Sequence, residues 1–301
     1  MTRLPLPGAI GTITLTRECN LIRSPMAVVA FLLATLSIAC NGPSSDSAVS
    51  EQAAVRGITS ELQESAPIDG RCALPAEPDT VRVDGGAVLL VWEFPDDPVY
   101  SQSVLPADSA YLAYRSAIRA DGAALRDPVA DRPTPQTDEE IELWRNEDVN
   151  AELARSGEAG SIELINCLDA LLFAHQNSRV SQLTHPTEFL ASVLRRNVDG
   201  QSQLAIVFGA GEEMYPPKTV YGFDVVDEYV ARGWRYSSAL HNHTIRRNGD
   251  LLALGTPALS TSDVQLTRNL ASESGLESAR VTNGFYTYSV PATELGLLRS
   301  R

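Results

Sequence analysis

The chain alternates between short apolar runs and polar breaks marked by glycine or proline, and the period of each run predicts an element. VLLVWEF, Val88–Phe94, predicts a strand that ends at Pro95-Asp96-Asp97-Pro98. AYLAYRSAIRA, Ala110–Ala120, spaces its apolar residues for a helix. The stretch from Asp121 to Asp138, rich in Pro, Asp and Arg, predicts a surface loop, and Asp138–Ala154 an acidic helix. From Ser161 the pattern is more regular. SIELINCLDALLFAHQ predicts a strand running into a helix, and THPTEFLASVLRR a strand with Glu188 near its start. QLAIVFGAG, Gln203–Gly211, predicts a strand ending on glycines; DVVDEYVARG, Asp224–Gly233, a helix with a glycine stop. WRYSSALHNH predicts a strand, STSDVQLTRNLASESG a helix running from serine to glycine, and FYTYSVPA a last strand. Strands and helices that alternate in this way predict an α/β or α+β layered domain over 161–301. No internal repeat is visible.

Ahead of this domain the pattern changes character. Arg17 and Arg23 precede an uncharged apolar run, Met26–Ala39, which is too short for an ordinary membrane span and suits the core of a signal peptide. The run closes as LSIAC at Cys40, which resembles a lipobox; a plain secretory signal is the alternative. Residues 1–39 are therefore expected to be a lipoprotein signal peptide, with Cys40 lipidated. Residues 40–70 read as a flexible polar tether, and 71–160 as an N-terminal extension of unknown role. The expected location is the bacterial cell envelope, lipid-anchored at the outer membrane and facing the periplasm. In an exported protein Cys72 and Cys167 are a candidate disulfide; two buried free thiols are the alternative.

Composition narrows the partners. The net charge is −14, and Lys218 is the only lysine. Such a surface repels phosphate backbones and offers no polybasic route to anionic lipid, so the expectation is no nucleic acid, and membrane contact by the N-terminal lipid alone.

The chemistry concentrates in HNHTIRRNGDLLALGTPALSTSD, His241–Asp263, which holds two of the four histidines. Alternate residues of a strand share a face, so His241 and His243 point the same way and can share a metal ion. Asp263, in the first turn of a helix, is a candidate third ligand. Taken alone, Ser260-x-x-Asp263 is also a capping box, and a lone His-x-His is a solvated strand end. HNH as a nuclease signature is a poor fit to the spacing and to the charge. His175 and His185 have no partner at ligand spacing and read as structural or surface residues. Trp92, Trp144 and Trp234 read as core. Arg246, Arg247, Asn248 and Gly249 look like a turn.

Taken together, His-x-His at a strand end followed by Ser-x-x-Asp at a helix start resembles the JAMM (MPN+) family of zinc metalloproteases. That resemblance implies a JAB/MPN-like fold, a cytidine-deaminase-like three-layer arrangement of a sheet with flanking helices, and one Zn2+ ion on His241, His243 and Asp263. It also implies a glutamate on an upstream strand that acts on the water, for which Glu188 is the candidate ahead of Glu212 and Glu213. Ser260 takes the role of oxyanion donor. Two departures bear on the substrate: Thr244 stands where the family has proline, and the gap from His243 to Ser260 is longer than usual. The function so implied is hydrolysis of a peptide or isopeptide bond in the envelope, with a protein or peptide as the substrate. A non-catalytic binding or scaffold protein on the same fold is an alternative, as is an amidohydrolase acting on a small-molecule or cell-wall amide.

Overall fold

A computed structural model describes residues 66–75, 77–120, 134–243, 246–247, 250–251 and 258–300. The signal segment, Cys40 and the expected tether up to residue 65 lie outside the described residues, as does most of the expected loop from Asp121 to Asp138.

Ten strands and five α-helices are described. In chain order they are β1 (Asp79–Asp84), β2 (Ala87–Pro95), α1 (Ser109–Ala120), α2 (Asp138–Ser156), β3 (Ser161–Leu164), α3 (Cys167–Arg179), β4 (Phe189–Val198), β5 (Gln201–Ala210), α4 (Phe223–Ala231), β6 (Arg235–Asn242), β7 (Arg246–Arg247), β8 (Asp250–Leu251), α5 (Thr261–Glu273), β9 (Ser278–Thr282) and β10 (Tyr286–Pro291). Eight strands form one mixed sheet in the order β1-β2-β5-β4-β6-β9-β10-β3. All neighbours are antiparallel except β6 and β9, which run parallel. A parallel pair needs a crossover, and here that crossover contains α5.

Alternation along the central strands sends residues to two different cores. Leu90, Trp92 and Phe94 of β2, with Leu204, Ile206 and Phe208 of β5, pack against α1 and α3. Leu89 and Val91, with Ala205 and Val207, face α4 and Leu270 of α5 on the other side. A third cluster joins Val264 of α5 and Ala154 of α2 to Val281, Tyr288 and Val290 of β9 and β10. The sheet is therefore covered on both faces, which is why its central strands read as near-continuous apolar runs. The mixed α/β class expected from the pattern is observed.

One boundary needs correcting. The segment 71–160 was expected to stand outside a domain of 161–301, yet β1 and β2 belong to the same sheet. Val88–Pro95 of β2 pair with Gln203–Ala210 of β5 across the whole strand. The reason is that β2 carries apolar side chains for both cores, so its burial needs β5 on one edge and helices on both faces. The expected strand starting near Glu188 begins one residue later, at Phe189. Arg246 and Arg247, expected in a turn, form β7, which pairs with β8. The remainder of the 244–259 insert is largely outside the described residues.

Helix ends follow local chemistry. Thr137 and Glu140 form a capping box at α2, and Gly157 ends that helix in the left-handed conformation. Asn166 caps α3 through the amide of Asp169. Cys72 and Cys167 are joined as a disulfide with Cα atoms 5.7 Å apart, tying the segment before β1 to the start of α3.

Candidate metal centre

Three elements bring the site together. β4 and β6 are antiparallel with Leu190 opposite His241. Extending that register past the strand ends sets Glu188 opposite His243, and directly opposed residues share a face. His241, His243, Leu190 and Glu188 thus face the same way, towards α5. The first turn of α5 supplies Asp263.

The ligating atoms form a tight triangle. His241 Nε2 and His243 Nε2 are 3.0 Å apart. Asp263 Oδ2 lies 3.4 Å from the first and 3.1 Å from the second. Zinc bonds to imidazole and carboxylate of about 2.0–2.2 Å imply tetrahedral edges of roughly 3.3–3.6 Å, so these donors fit one face of such a site within a few tenths of an ångström. The group could hold a metal ion, and it is the only cluster of three such side chains at this spacing among the described residues.

The capping box and the metal site use the same atoms. Ser260 caps α5 by accepting from the Asp263 amide, at 3.2 Å. In return the Ser260 amide donates to Asp263 Oδ2 at 2.8 Å, the oxygen that meets both histidines. The cap thereby fixes the carboxylate. The Ser260 hydroxyl also pairs with that of Ser262, at 2.9 Å. Farther back, buried Asn150 of α2 donates to the carbonyls of Leu259 and Arg299, at 3.3 and 2.9 Å, and anchors the chain just ahead of the cap.

The electrostatics match this packing. For Asp263 burial acts to raise the pKa, but the two imidazoles overcome it and hold the carboxyl well below its ordinary range. For His243 burial alone would depress the pKa; hydrogen bonding to Asp263, with added negative charge from Glu188 and Glu147, lifts it to about 9. Burial raises the Glu188 carboxyl above its ordinary value, against the pull of His243 and His241.

Asn242, whose letter in the motif reads as a mere spacer, has a second task. Its Oδ1 accepts from the Phe189 amide at 2.8 Å, and its Nδ2 donates to the Thr187 carbonyl at 2.9 Å. These two groups flank Glu188. The Glu188 amide itself donates to the Met214 carbonyl at 2.7 Å. Thr187 is gripped in turn by Gln176 and Gln182, whose amides reach its hydroxyl at 2.6 and 3.0 Å. Glu188 therefore sits on backbone that buried amides hold on every side, and one of them grows from between the two histidines.

The rival acids are elsewhere. Glu212 and Glu213 are exposed, and the Glu212 carbonyl accepts from His185 Nε2 at 2.7 Å. His175 is packed edge-on against Trp92 and Phe208, and burial pushes its pKa down to about 4. Trp92 and Trp234 are core residues. Tyr215 and Tyr221 border the site, although no periodic signal marks them in the sequence. Burial, then the charges of Glu188 and Asp263, raise both phenols and keep them neutral at physiological pH. Gly209 makes room for their loop, since a Cβ there would strike the Val220 carbonyl.

No helix among the described residues is long and apolar enough to cross a membrane. No family model, curated protein or solved structure matches the chain.

Proposed function

We propose that this chain is a zinc-dependent metallopeptidase with a JAB/MPN-like fold, hydrolysing a peptide or isopeptide bond in the cell envelope. The observation that carries the reading is the triangle of His241, His243 and Asp263, with a half-buried, backbone-clamped Glu188 that shares a cleft with His241 and Asp263. Two neutral imidazoles and one carboxylate with an open position are the donor set of hydrolytic zinc rather than of a closed structural site. Zinc held there supplies a Lewis acid and a water acidified to a pKa of about 7.

The remaining work falls to the chain itself. Glu188 takes the water's proton and passes it to the leaving amine, and its raised pKa suits both halves of that transfer. The clamp on Thr187 and Phe189 keeps the carboxylate within reach of the water. Ser260 is the oxyanion donor of this reading: its oxygen accepts from the Asp263 amide, and with Ser262 donating in the hydroxyl pair between them its proton is left for the substrate. Neutral Tyr215 and Tyr221 add phenolic donors at the edge of the same cleft. Lipid anchorage through Cys40 and export belong to the same proposal.

Metal analysis after zinc reconstitution is the direct test. One equivalent is expected on the wild type, and none on His243→Ala or Asp263→Ala. Glu188→Gln should keep the zinc and lose hydrolysis by at least a thousandfold. A wild type that holds no stoichiometric zinc removes the enzyme reading, and hydrolysis that survives Glu188→Gln removes Glu188 as the base. Zinc retained with no hydrolysis of any amide favours the scaffold alternative.

A further inference from the structure

The cleft that holds Glu188, His241 and Asp263 extends well past them. Its empty volume, counted with the open mouth and the solvent there, is about 520 Å3. On α5, Asp263, Leu266, Thr267 and Leu270 recur at helical spacing and all line it. At 1.5 Å of rise per residue, Leu266 lies about 5 Å and Leu270 about 10 Å along the axis from the metal-facing carboxylate. Leu190 and Ala239 floor the cleft from the sheet, and Tyr221 closes its flank. The apolar part thus begins one helical turn from the candidate ligands, within reach of a side chain whose own carbonyl lies at the metal.

Apart from the neutral phenols of Tyr215 and Tyr221 at its edge, its polar groups are committed or stand at the metal end. The Thr267 hydroxyl donates to the Asp263 carbonyl at 2.8 Å, within its own helix. Glu188 and Asp263 stand at the metal end. No lysine or arginine lines the cleft. A charged side chain placed against Leu266 and Leu270 would lose its hydration and gain no counter-ion. An acidic one would in addition meet a protein of net charge −14.

Resting on the metallopeptidase reading above, we infer that the residue beside the bond cut is large and apolar, of the leucine, methionine or phenylalanine class, and seats between Leu266, Leu270, Leu190 and Tyr221. Burial of such a side chain contributes through area removed from water and is non-directional, so the selectivity is for size and apolarity and not for one residue.

The test is a mixed peptide library made by digesting a whole proteome at lysine, incubated with the zinc-loaded full chain and read by mass spectrometry. Cuts should show Leu, Met and Phe enriched several-fold at one position flanking the bond. Leu266→Asp should lower kcat/KM on the best peptide by at least about tenfold to two-hundredfold, the span for a single methylene in an apolar pocket. Leu266→Trp keeps the helix face apolar and should move the preference to smaller side chains, which guards against a folding artefact in the first variant. Cuts without apolar enrichment at either flanking position, or a profile that both variants leave unchanged, would overturn the inference. If the wild type cuts nothing, the peptidase reading fails on its own, and the cleft is judged by amide NMR shifts. N-acetyl-leucine amide should then shift Leu266, Leu270 and Tyr221 more than N-acetyl-glycine amide does. Equal or absent shifts would overturn the apolar site as well.

Discussion

Asp263 shows how one side chain can serve two structures at once. Its Oδ2 receives the Ser260 amide and faces both histidines, so the energy that caps α5 also holds a ligand in place. The protonation of this group gives a pH test in metal-free protein. The His243 pKa is raised from 6.5 to about 9, so its stabilising contribution is complete below pH 6.5 and is lost as pH rises towards 9. The depressed Asp263 pKa works in the opposite sense: its contribution is present above pH 3.8 and lost as pH falls through the folded value. With chelator present, Tm should therefore decline between pH 6.5 and 9, and His243→Ala should flatten that decline. An unchanged slope in the variant would show that other groups govern it. Zinc must displace the His243 proton, so its apparent affinity should rise with pH over the same window. Asn242 carries a separate prediction. Asn242→Ala removes both hydrogen bonds flanking Glu188 and should cut kcat by roughly tenfold to a hundredfold, with zinc content and KM near wild type. Asn242→Asp keeps the acceptor for the Phe189 amide but sets a carboxylate against the Thr187 carbonyl, and should be no better than alanine. Unaltered kcat in both would leave Asn242 as packing alone.

Among the elements, α5 owes its position to the chain that leads into it. Asn150, fully buried in α2, bonds to Leu259 and to both the amide and the carbonyl of Arg299, tying α2 to the start of α5 and to the C-terminal segment. Asn150→Ala leaves those backbone groups unpaired, at a cost of about 1–3 kcal/mol apiece where buried. Urea unfolding should show at least that loss, and zinc should bind more weakly, because the Ser260 cap is no longer anchored. A wild-type urea midpoint would refute the anchor. The Cys72–Cys167 bond closes a separation of 95 residues and joins the segment before β1 to α3. Reduction or Cys72→Ser should destabilise the fold by about 2–5 kcal/mol, measured as a shift in the chemical denaturation midpoint. Most of these elements were legible in the sequence, because amphipathic spacing and caps act over a few residues. β2, α1, α2 and the strands and α-helices from Ser161 to Asn242 fall where the pattern puts them, within three residues. β1 and β9 escaped notice. β1 is an edge strand with little burial, and β9 is five residues whose identity as a strand comes from β6 and β10 on either side.

For the whole molecule, the sheet is the unit of stability. A chain beginning at Ser161 would lack β2, leave the edge of β5 unpaired, and open both cores where Leu89–Phe94 pack. It should fail to fold, showing no cooperative thermal transition and strong dye binding, whereas a chain beginning at Ala66 should melt as the full chain does. A cooperative, zinc-binding 161–301 fragment would reinstate the narrower domain boundary. The sequence by itself determined the fold class, the helix caps, and the residue types able to ligate and to accept a proton, because each rests on local spacing and on side-chain chemistry. Tertiary structure alone decided three further things. It set Leu190 opposite His241 and so brought Glu188 up beside the histidines, since strand register is fixed by pairing and not by spacing. It turned Asn242 from a spacer into the clamp on Glu188, since its partners lie 53 and 55 residues away. It joined residues 79–95 to the domain they had seemed to precede, since a strand with two apolar faces is stable only where both faces and both edges are covered.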